Sequence, residues 1–154
     1  MTLQVNLPTW ASPLLKPARY KAIYGGRGSA KSWTAATVLL LQAMQQPLRI
    51  VCVREVQRSI EESSKQVLED RIAAVCPPGF WDVQRERILG ANGSVFRFRG
   101  MNSVTNRNVR SLEGVDRVWF EEAQYMSNDS AEILYPTIRA AGTELWFTLS
   151  LIHI

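Results

Sequence analysis

Apolar residues along this chain alternate between short continuous runs and longer stretches with helical spacing. A short apolar run at residues 22–24 precedes a Gly-rich segment, and the glycine-free apolar stretch 33–44 is long enough for a buried helix. Residues 49–53 read as a continuously apolar strand of the kind buried in parallel sheets. Apolar residues then recur at helical spacing over 56–75, before the Pro-Pro-Gly at 77–79. This pattern predicts the order β-α-β-α.

The second half of the chain predicts further strands and one more helix. After Trp81 the period changes to two, and an Asn-Gly turn predicts a β-hairpin in which arginines alternate with Phe98. The other predicted elements are strands at 115–120 and 144–149, and a helix that begins near 127–129 and runs to about 138. Helices alternating with parallel strands predict an α/β domain whose mainly parallel sheet has helices on both faces, with an inserted hairpin.

Residues 25–32 read Gly-Gly-Arg-Gly-Ser-Ala-Lys-Ser and lie between the first predicted strand and the first predicted helix. This is a phosphate-binding loop in all but one position, because Lys31 can reach the β- and γ-phosphates and the Ser32 hydroxyl can bind Mg²⁺. The departure is Ala30, where glycine is usual, and we expect its backbone φ to be negative. The predicted nucleotide-binding residues are Gly25, Gly26, Arg27, Gly28, Ser29, Ala30, Lys31 and Ser32.

Residues 118–122, Val-Trp-Phe-Glu-Glu, have the sequence pattern of a Walker B segment. An apolar strand delivers carboxylates at its C-terminal end, which we expect to lie beside the phosphate loop because ligands gather there in parallel sheets. Glu121 would hold Mg²⁺ directly or through water. Glu122 would accept a proton from the attacking water or orient it. The two motifs together predict a P-loop NTPase that hydrolyses ATP.

Arginines supply further candidates for catalysis. Arg27 lies inside the loop, where two interpretations stay open: a surface charge on the loop rim, or a catalytic group that neutralises developing charge on the γ-phosphate. Arg110 and Arg139 are alternatives for that second role, and either could act from a neighbouring subunit. The sequence does not decide among them.

Composition and charge favour one domain with a polyanionic partner. The chain has 154 residues, 46% of them hydrophobic, which suits a single core. Its formal net charge is +4, and fourteen of its eighteen basic residues are arginine, whose guanidinium suits phosphate. Two interpretations fit the basic residues of the hairpin and the segment after it, namely DNA contact and simple solvation. These residues are Arg85, Arg87, Arg97, Arg99, Arg107 and Arg110.

The cysteines and the apolar runs bear on location. Cys52 and Cys76 have neither metal-ligand spacing nor a disulfide framework, so we expect buried thiols in a reducing cytoplasm. The longest apolar run, residues 38–41, is far shorter than a membrane span, and residues 1–10 lack the features of a signal peptide. We therefore expect no membrane association.

Four segments, taken together, resemble the large terminase subunit of tailed bacteriophages. They are the loop, residues 51–57 with Ser59 and Ser63, residues 109–114 and residues 118–123, and they occur in the family's order. The resemblance implies an ATPase domain at 20–148, after an approach segment at 1–19. It also implies a homo-oligomeric ring that uses ATP and Mg²⁺ to drive double-stranded DNA into a procapsid.

The resemblance further implies particular partners and residue roles. The partners are the terminase small subunit and the portal protein, in the cytoplasm of the bacterial host and not in the mature virion. In that family the loop arginine, which Arg27 matches, is a proposed cis-acting finger. Lys31, Ser32 and Glu122 match the family's lysine, serine and second glutamate.

The C-terminal end departs from that family. The coupling motif expected after residue 148 is not matched, and the expected nuclease domain is absent from the sequence. Residues 149–154 match one reading frame of a common sequencing adapter, so we expect a non-native tail on a domain truncated at its C-terminal side. Two alternatives remain: another DNA-dependent P-loop ATPase of the helicase or recombinase kind, and a truncated fragment that binds nucleotide or DNA without turnover.

Overall fold

A computed structural model of the chain describes residues 3–26, 28–55, 64–101, 112–138 and 140–150. Its strands are β1 (Tyr20–Gly25), β2 (Arg49–Arg54), β3 (Trp81–Val83), β4 (Arg87–Gly90), β5 (Val95–Gly100), β6 (Arg117–Phe120) and β7 (Glu144–Ser150). They form one sheet in the order β1-β7-β6-β2-β5-β4-β3. The first five strands of that order are mutually parallel, and β4 and β3 continue the sheet antiparallel.

Helices cover both faces of the sheet. They are α1 (Lys31–Gln45), α2 (Ser64–Val75) and α3 (Asn128–Thr137), with short 3-10 helices at Thr9–Leu15 and Ala123–Tyr125. The Ser127 hydroxyl accepts a hydrogen bond from the Ser130 N–H at 3.1 Å, which caps α3 as its sequence predicts. None of the described helices has the length and apolar character needed to cross a membrane.

Alternating side chains of the central strands build two separate cores. In β2, Ile50 and Cys52 face the core under α1 and α2, whereas Val51 and Val53 face the core under α3. The same alternation divides β6 and β7, whose tryptophans share the first core. A parallel strand buried on both faces needs apolar residues at every position, which explains the unbroken apolar runs in the sequence.

Helix α1 is the central support of the candidate site. Residues 34–40 are all buried, so the helix is enclosed on nearly every side. It packs against α2, where the Arg71 guanidinium lies 3.7 Å from the centre of the Trp33 ring and donates to the Thr37 hydroxyl at 2.9 Å. Burying Leu39 and Leu40 contributes about 1.5–3 kcal/mol each to folding. The loop before α1 is therefore attached to a rigid element.

The predicted α/β fold with a mainly parallel sheet is confirmed, with two differences in detail. The second arm of the predicted hairpin, β5, pairs in parallel with β2, so the hairpin extends the main sheet. The short strand β3, at the sequence Trp-Asp-Val, was not predicted. Three residues are too few for a period of two to be recognised.

Candidate functional site

The phosphate loop and the acidic pair leave the same edge of the sheet. Strands β1, β7 and β6 are parallel, and Ala22 of β1 and Phe120 of β6 both lie opposite Phe147 of β7. Because β7 lies between them, β1 and β6 are about 10 Å apart, two strand spacings. The acidic pair was expected beside the loop on a neighbouring strand; it leaves the same edge of the sheet, but β7 separates the two strands.

Two glycines of the loop have identifiable structural requirements. A Cβ on Gly25 would lie 2.9 Å from the Ser29 hydroxyl oxygen and 3.3 Å from the Ser29 Cβ, so a side chain there would require Ser29 to move. Gly28 has a φ of 80°, which only glycine adopts at little cost. Among the described residues, no atom apart from those of the chain neighbours lies within 4 Å of the Cβ position of Gly26 or Gly28, so the described part of the chain leaves room for a ligand there.

The expectation of a negative φ at Ala30 is wrong. Ala30 has φ 60° and ψ 23°, the left-handed conformation, because the chain reverses there between the loop and α1. This conformation costs an L-residue about 1–2 kcal/mol. Ala30 is also the N-cap of α1 and provides no side-chain hydrogen bond to it. The first-turn N–H groups of α1 are thus left to another acceptor, and an anion is a suitable one.

Lys31 and Ser32 occupy the first turn of α1 and are both partly exposed. The Lys31 ammonium donates to the Gly26 carbonyl oxygen at 3.3 Å, so its side chain lies back across the loop. A phosphate placed in the loop would offer that ammonium a charged acceptor in place of a neutral one. The opposite charges of ammonium and phosphate add an attraction that the neutral carbonyl oxygen lacks.

Glu121 is a buried carboxylate with a fixed orientation. It is 6% exposed, accepts a hydrogen bond from the Ser64 hydroxyl of α2, and its N–H donates to the Val53 carbonyl oxygen at 3.0 Å. Burial, and then the negative charge of Glu121, raise the pKa of the Cys52 thiol well above its ordinary value. Cys52 is therefore a neutral, inert thiol, as its sequence context predicts.

Glu122 is more exposed than Glu121 and has a strained backbone. Its φ and ψ are both 49°, and its carboxylate forms an ion pair with the Arg54 guanidinium at the end of β2. The Glu122 side chain is 37% exposed. Within the described ranges, Ala30 and Glu122 are the only residues other than glycine with a positive φ. Strain of this kind concentrates at functional sites, where the surrounding structure maintains it.

Ser32 and Glu121 carry oxygen donors of the kind that a magnesium ion prefers. Mg²⁺ prefers oxygen ligands and binds through one or two carboxylates, substrate phosphates and water. Ser32 offers a hydroxyl beside the loop, and Glu121 offers a carboxylate that the Ser64 hydrogen bond already orients. The donor set is therefore appropriate for Mg²⁺ held together with a phosphate.

An apolar groove adjoins the phosphate loop. It has a volume of about 290 Å³ and lies between the N-terminal 3-10 helix and β1. Its lining residues are Trp10, Pro13, Leu14, Ala22, Ile23, Tyr24, Ser29 and Lys31. Most of these are apolar or aromatic, whereas Ser29 and Lys31 belong to the loop. One end of the groove therefore suits a flat apolar ring, and the other suits an anion.

Some predicted site residues lie outside the described residues, and some site residues were not predicted. Arg27, Arg110 and Arg139 belong to the first group, so their assignments remain predictions. Arg54 and Ser64 belong to the second group. Arg54 ends the apolar strand β2, and parallel strands bring their carboxyl ends to the same edge of the sheet. The sequence could therefore have predicted that Arg54 lies near Glu122.

Comparison with known proteins identifies relatives of this chain. The sequence profile described as phage terminase large subunit matches residues 17–150. The large terminase subunit of Bacillus phage SPP1 is 26% identical over 125 residues, which are 76% of this chain and 29% of that protein.

Solved structures show the same fold. The large terminase of a thermophilic bacteriophage superposes with a TM-score of 0.70 at 13% identity, over 92% of this chain and 36% of that one. The ATPase domain of the Thermus phage P74-26 large terminase, in a variant with one arginine replaced by alanine, gives a TM-score of 0.64 at 19% identity, over 95% of this chain and 65% of that one. The first of these two proteins was also solved in complex with ADP and with ATP-γ-S.

Proposed function

The chain belongs to the phage terminase large-subunit family, and from that premise we propose that it is the ATP-hydrolysing motor domain of a DNA-packaging terminase. One observation carries the proposal. A phosphate loop with an open side follows β1, and a strained glutamate, ion-paired with Arg54, follows β6. Both leave the same edge of the parallel sheet, from strands about 10 Å apart. The chain spans about a third of the length of its relatives, so packaging itself is proposed for the whole protein.

ATP binding uses the loop and the first turn of α1. Backbone N–H groups that no side chain caps would surround the polyphosphate, and the positive end of the helix favours its charge. Lys31 would exchange its hydrogen bond to the Gly26 carbonyl for the β- and γ-phosphates. Ser32 and Glu121 would hold Mg²⁺, which when bound neutralises phosphate charge.

Glu122 is the proposed water-activating residue. Its carboxylate would accept a proton from the attacking water, or orient that water toward the γ-phosphate. Arg54 holds the carboxylate at the sheet edge in the described conformation, which fixes its position. Arg27, Arg110 and Arg139 remain candidates for the group that neutralises charge on the γ-phosphate.

The adenine base fits the apolar groove. Trp10 offers an aromatic face, while Ser29 and Lys31 place the other end of the groove at the phosphates. Trp10→Ala should therefore weaken ATP and ADP binding alike and leave the binding of inorganic tripolyphosphate unchanged. Calorimetric titration with the three ligands measures this difference, and an equal loss for tripolyphosphate would contradict the placement of the base.

The finer parts of the proposal concern the assembled motor. Hydrolysis would drive double-stranded DNA into a procapsid, with the protein as a homo-oligomeric ring that contacts the portal protein and the small subunit. It would act in the cytoplasm of the bacterial host and leave the virion once packaging ends. The family membership, together with the arginine-rich composition, supports these assignments.

Nucleotide titration of the chain and of Lys31→Ala tests the proposal. The parent should bind ATP in a magnesium-dependent manner and release phosphate. Lys31→Ala should lose most of its affinity because the ammonium contact to the phosphates is gone. Lys65→Ala, which removes a lysine of α2 paired with Glu69, is the matched control and should bind like the parent. A folded parent that takes up no nucleotide with magnesium would reject the proposal. Binding without phosphate release would favour a nucleotide-binding module.

A further inference from the structure

A strongly basic cavity lies in the antiparallel part of the sheet, away from the phosphate loop. It has a volume of about 500 Å³ and is lined by Gln84, Arg85, Glu86, Arg87, Arg97 and Arg99. Four arginines and one glutamate give this lining a formal charge of +3, whereas the whole chain carries only +4. The positive charge of the molecule is thus concentrated at one place, here called the arginine surface.

The strand pairing explains why these side chains gather on one face. In β5, Phe96 and Phe98 are buried in the core under α1 and α2, so Arg97 and Arg99 point to the other face. They are about 7 Å apart along the strand. Arg87 of β4 lies directly opposite Arg97, which adds a third guanidinium to that face.

Within the described part of the chain, no ion pair neutralises this charge. In the antiparallel strands and the turn that joins them, none of the four arginines forms an ion pair. The Arg87 Nε donates to the neutral Gln84 amide oxygen at 2.9 Å, and Arg99 donates to the Phe98 carbonyl oxygen at 2.9 Å. Like charges directly opposite across two strands destabilise a sheet by about 0.2–1 kcal/mol. A role in folding does not account for such a pair, whereas an anionic ligand would remove the repulsion.

We propose that the arginine surface binds the sugar-phosphate backbone of double-stranded DNA. Guanidinium groups contact phosphate through two parallel hydrogen bonds, and spaced arginines suit a repeating array of phosphates. Such contacts carry no base information, so the surface accepts any sequence. The choice of duplex DNA as ligand rests on the proposed function, and the position of the surface rests on the arginines alone.

The arginine surface and the nucleotide site are separate. Four strand spacings, about 19 Å, separate β1 and its phosphate loop from β5 in the sheet order. Arg54 lies nearer, because β2 is the neighbour of β5, but Arg97 lies opposite Val51, three residues and about 10 Å along the strand from Arg54. Substitutions at Arg87 and Arg97 should therefore leave nucleotide affinity and basal hydrolysis unchanged. This separation allows one experiment to test the two proposals independently.

The test compares three proteins: the parent, the double variant Arg87→Gln with Arg97→Gln, and the control Lys16→Gln. Lys16 is exposed and precedes β1, the outer strand on the side of the sheet away from the arginine surface. Fluorescence anisotropy measures binding to two short duplexes of unrelated sequence between about 50 and 200 mM salt. We expect equal parent affinity for both duplexes. The double variant should bind at least tenfold more weakly, and its slope of log K against log salt should be shallower by about 2, since each lost phosphate contact removes about 0.9. Lys16→Gln should match the parent.

Each remaining outcome has a defined meaning. Thermal melting should show the double variant as stable as the parent or slightly more stable, because the repulsive pair is gone. If it does not fold, Arg85→Gln in the turn before β4 replaces it.

Unchanged duplex affinity and salt slope in a folded variant would overturn the inference. Arginine-dependent binding of an acidic peptide or single-stranded RNA in preference to the duplex would also overturn it. Arginine-dependent duplex binding by a parent that takes up no nucleotide would support the surface and reject the ATPase.

Discussion

Two glutamates at opposite ends of the parallel sheet differ in how completely the protein satisfies them. Glu144 begins β7, and its side chain is 7% exposed. It receives the Lys21 ammonium at 2.8 Å, the Arg117 guanidinium at 3.2 Å and the Trp146 indole N–H at 3.0 Å. Glu122 follows β6 at the other end, is 37% exposed, and is paired with Arg54 on a strained backbone.

The difference is the one expected between a structural carboxylate, Glu144, and the proposed water-activating carboxylate, Glu122. A buried carboxylate with several hydrogen-bond and ion-pair partners has no oxygen free to contact a substrate. Its loss leaves the buried charges of those partners without a counter-charge. A partly exposed carboxylate held in a strained conformation can still accept a proton from water. On the proposed function, the amino end of this sheet contributes stability and the carboxyl end contributes chemistry.

Glu122→Gln should have the largest effect, a loss of ATP hydrolysis, and it tests this comparison most directly. The amide cannot accept a proton from the attacking water, so the hydrolysis rate should fall by about 10²–10⁴-fold while ATP affinity changes little. Steady-state phosphate release and nucleotide titration measure the two quantities. Stability should change by less than about 1 kcal/mol, because the ion pair with Arg54 is partly exposed.

The matched control for that variant is Glu132→Gln, which removes an exposed carboxylate of α3. It should retain the parent hydrolysis rate. Hydrolysis that survives Glu122→Gln at the parent level would assign the water-activating role elsewhere and remove the functional half of the comparison.

Glu144→Gln should show the opposite profile. Removing the carboxylate leaves Lys21 and Arg117 buried without their counter-charge, and breaking a buried pair costs about 3–5 kcal/mol. Chemical denaturation measures this loss. ATP affinity per folded molecule should stay at the parent value, because Glu144 lies at the end of the sheet away from the loop.

Lowering the pH provides a control for the role of Glu144, because acid neutralises the Glu144 carboxylate in the parent protein. Burial alone raises the pKa of Glu144, but hydrogen bonds from Lys21 and Trp146, and the charges of Arg117 and Lys21, outweigh it and lower that pKa below its ordinary value. The folded state then favours the ionised form, so this stabilisation is complete above the unfolded pKa of about 4.3 and is lost as pH falls through the folded pKa. The stability difference between parent and Glu144→Gln should shrink below about pH 4. A constant difference down to lower pH would contradict the assignment.

The site could be predicted from sequence because its parts are local or follow from topology. Lys31 and Ser32 lie in one octapeptide, and parallel strands bring their carboxyl ends together, which located Glu121 and Glu122 at the loop's edge. The pairing of Glu144 with Lys21 has no such signal. The two residues are far apart in sequence, and each is a single charge within an apolar strand.

Strand order was the other feature that local pattern did not determine. Periodicity identified β1, β6 and β7 as separate strands, but only pairing across the sheet places β7 between the other two. That pairing depends on which buried faces fit together, including the Trp119 indole, which donates to the Thr148 hydroxyl at 3.1 Å. Such tertiary contacts join residues that no sequence window contains.

Ala30→Gly is the smallest expected effect, and it tests whether the strain at the carboxyl edge is real. Glycine removes about 1–2 kcal/mol of left-handed strain, while the freer unfolded chain offsets about 0.4–1 kcal/mol. The net gain in stability should be about 0.5 kcal/mol, and thermal melting measures it. The same substitution at Ala73, exposed within α2, should instead lose about 1 kcal/mol. Equal losses at both positions would show that Ala30 is not strained. We also expect ATP affinity to fall by about two- to fivefold, because a loop with glycine at this position must be ordered when the phosphates bind, whereas alanine already restricts it.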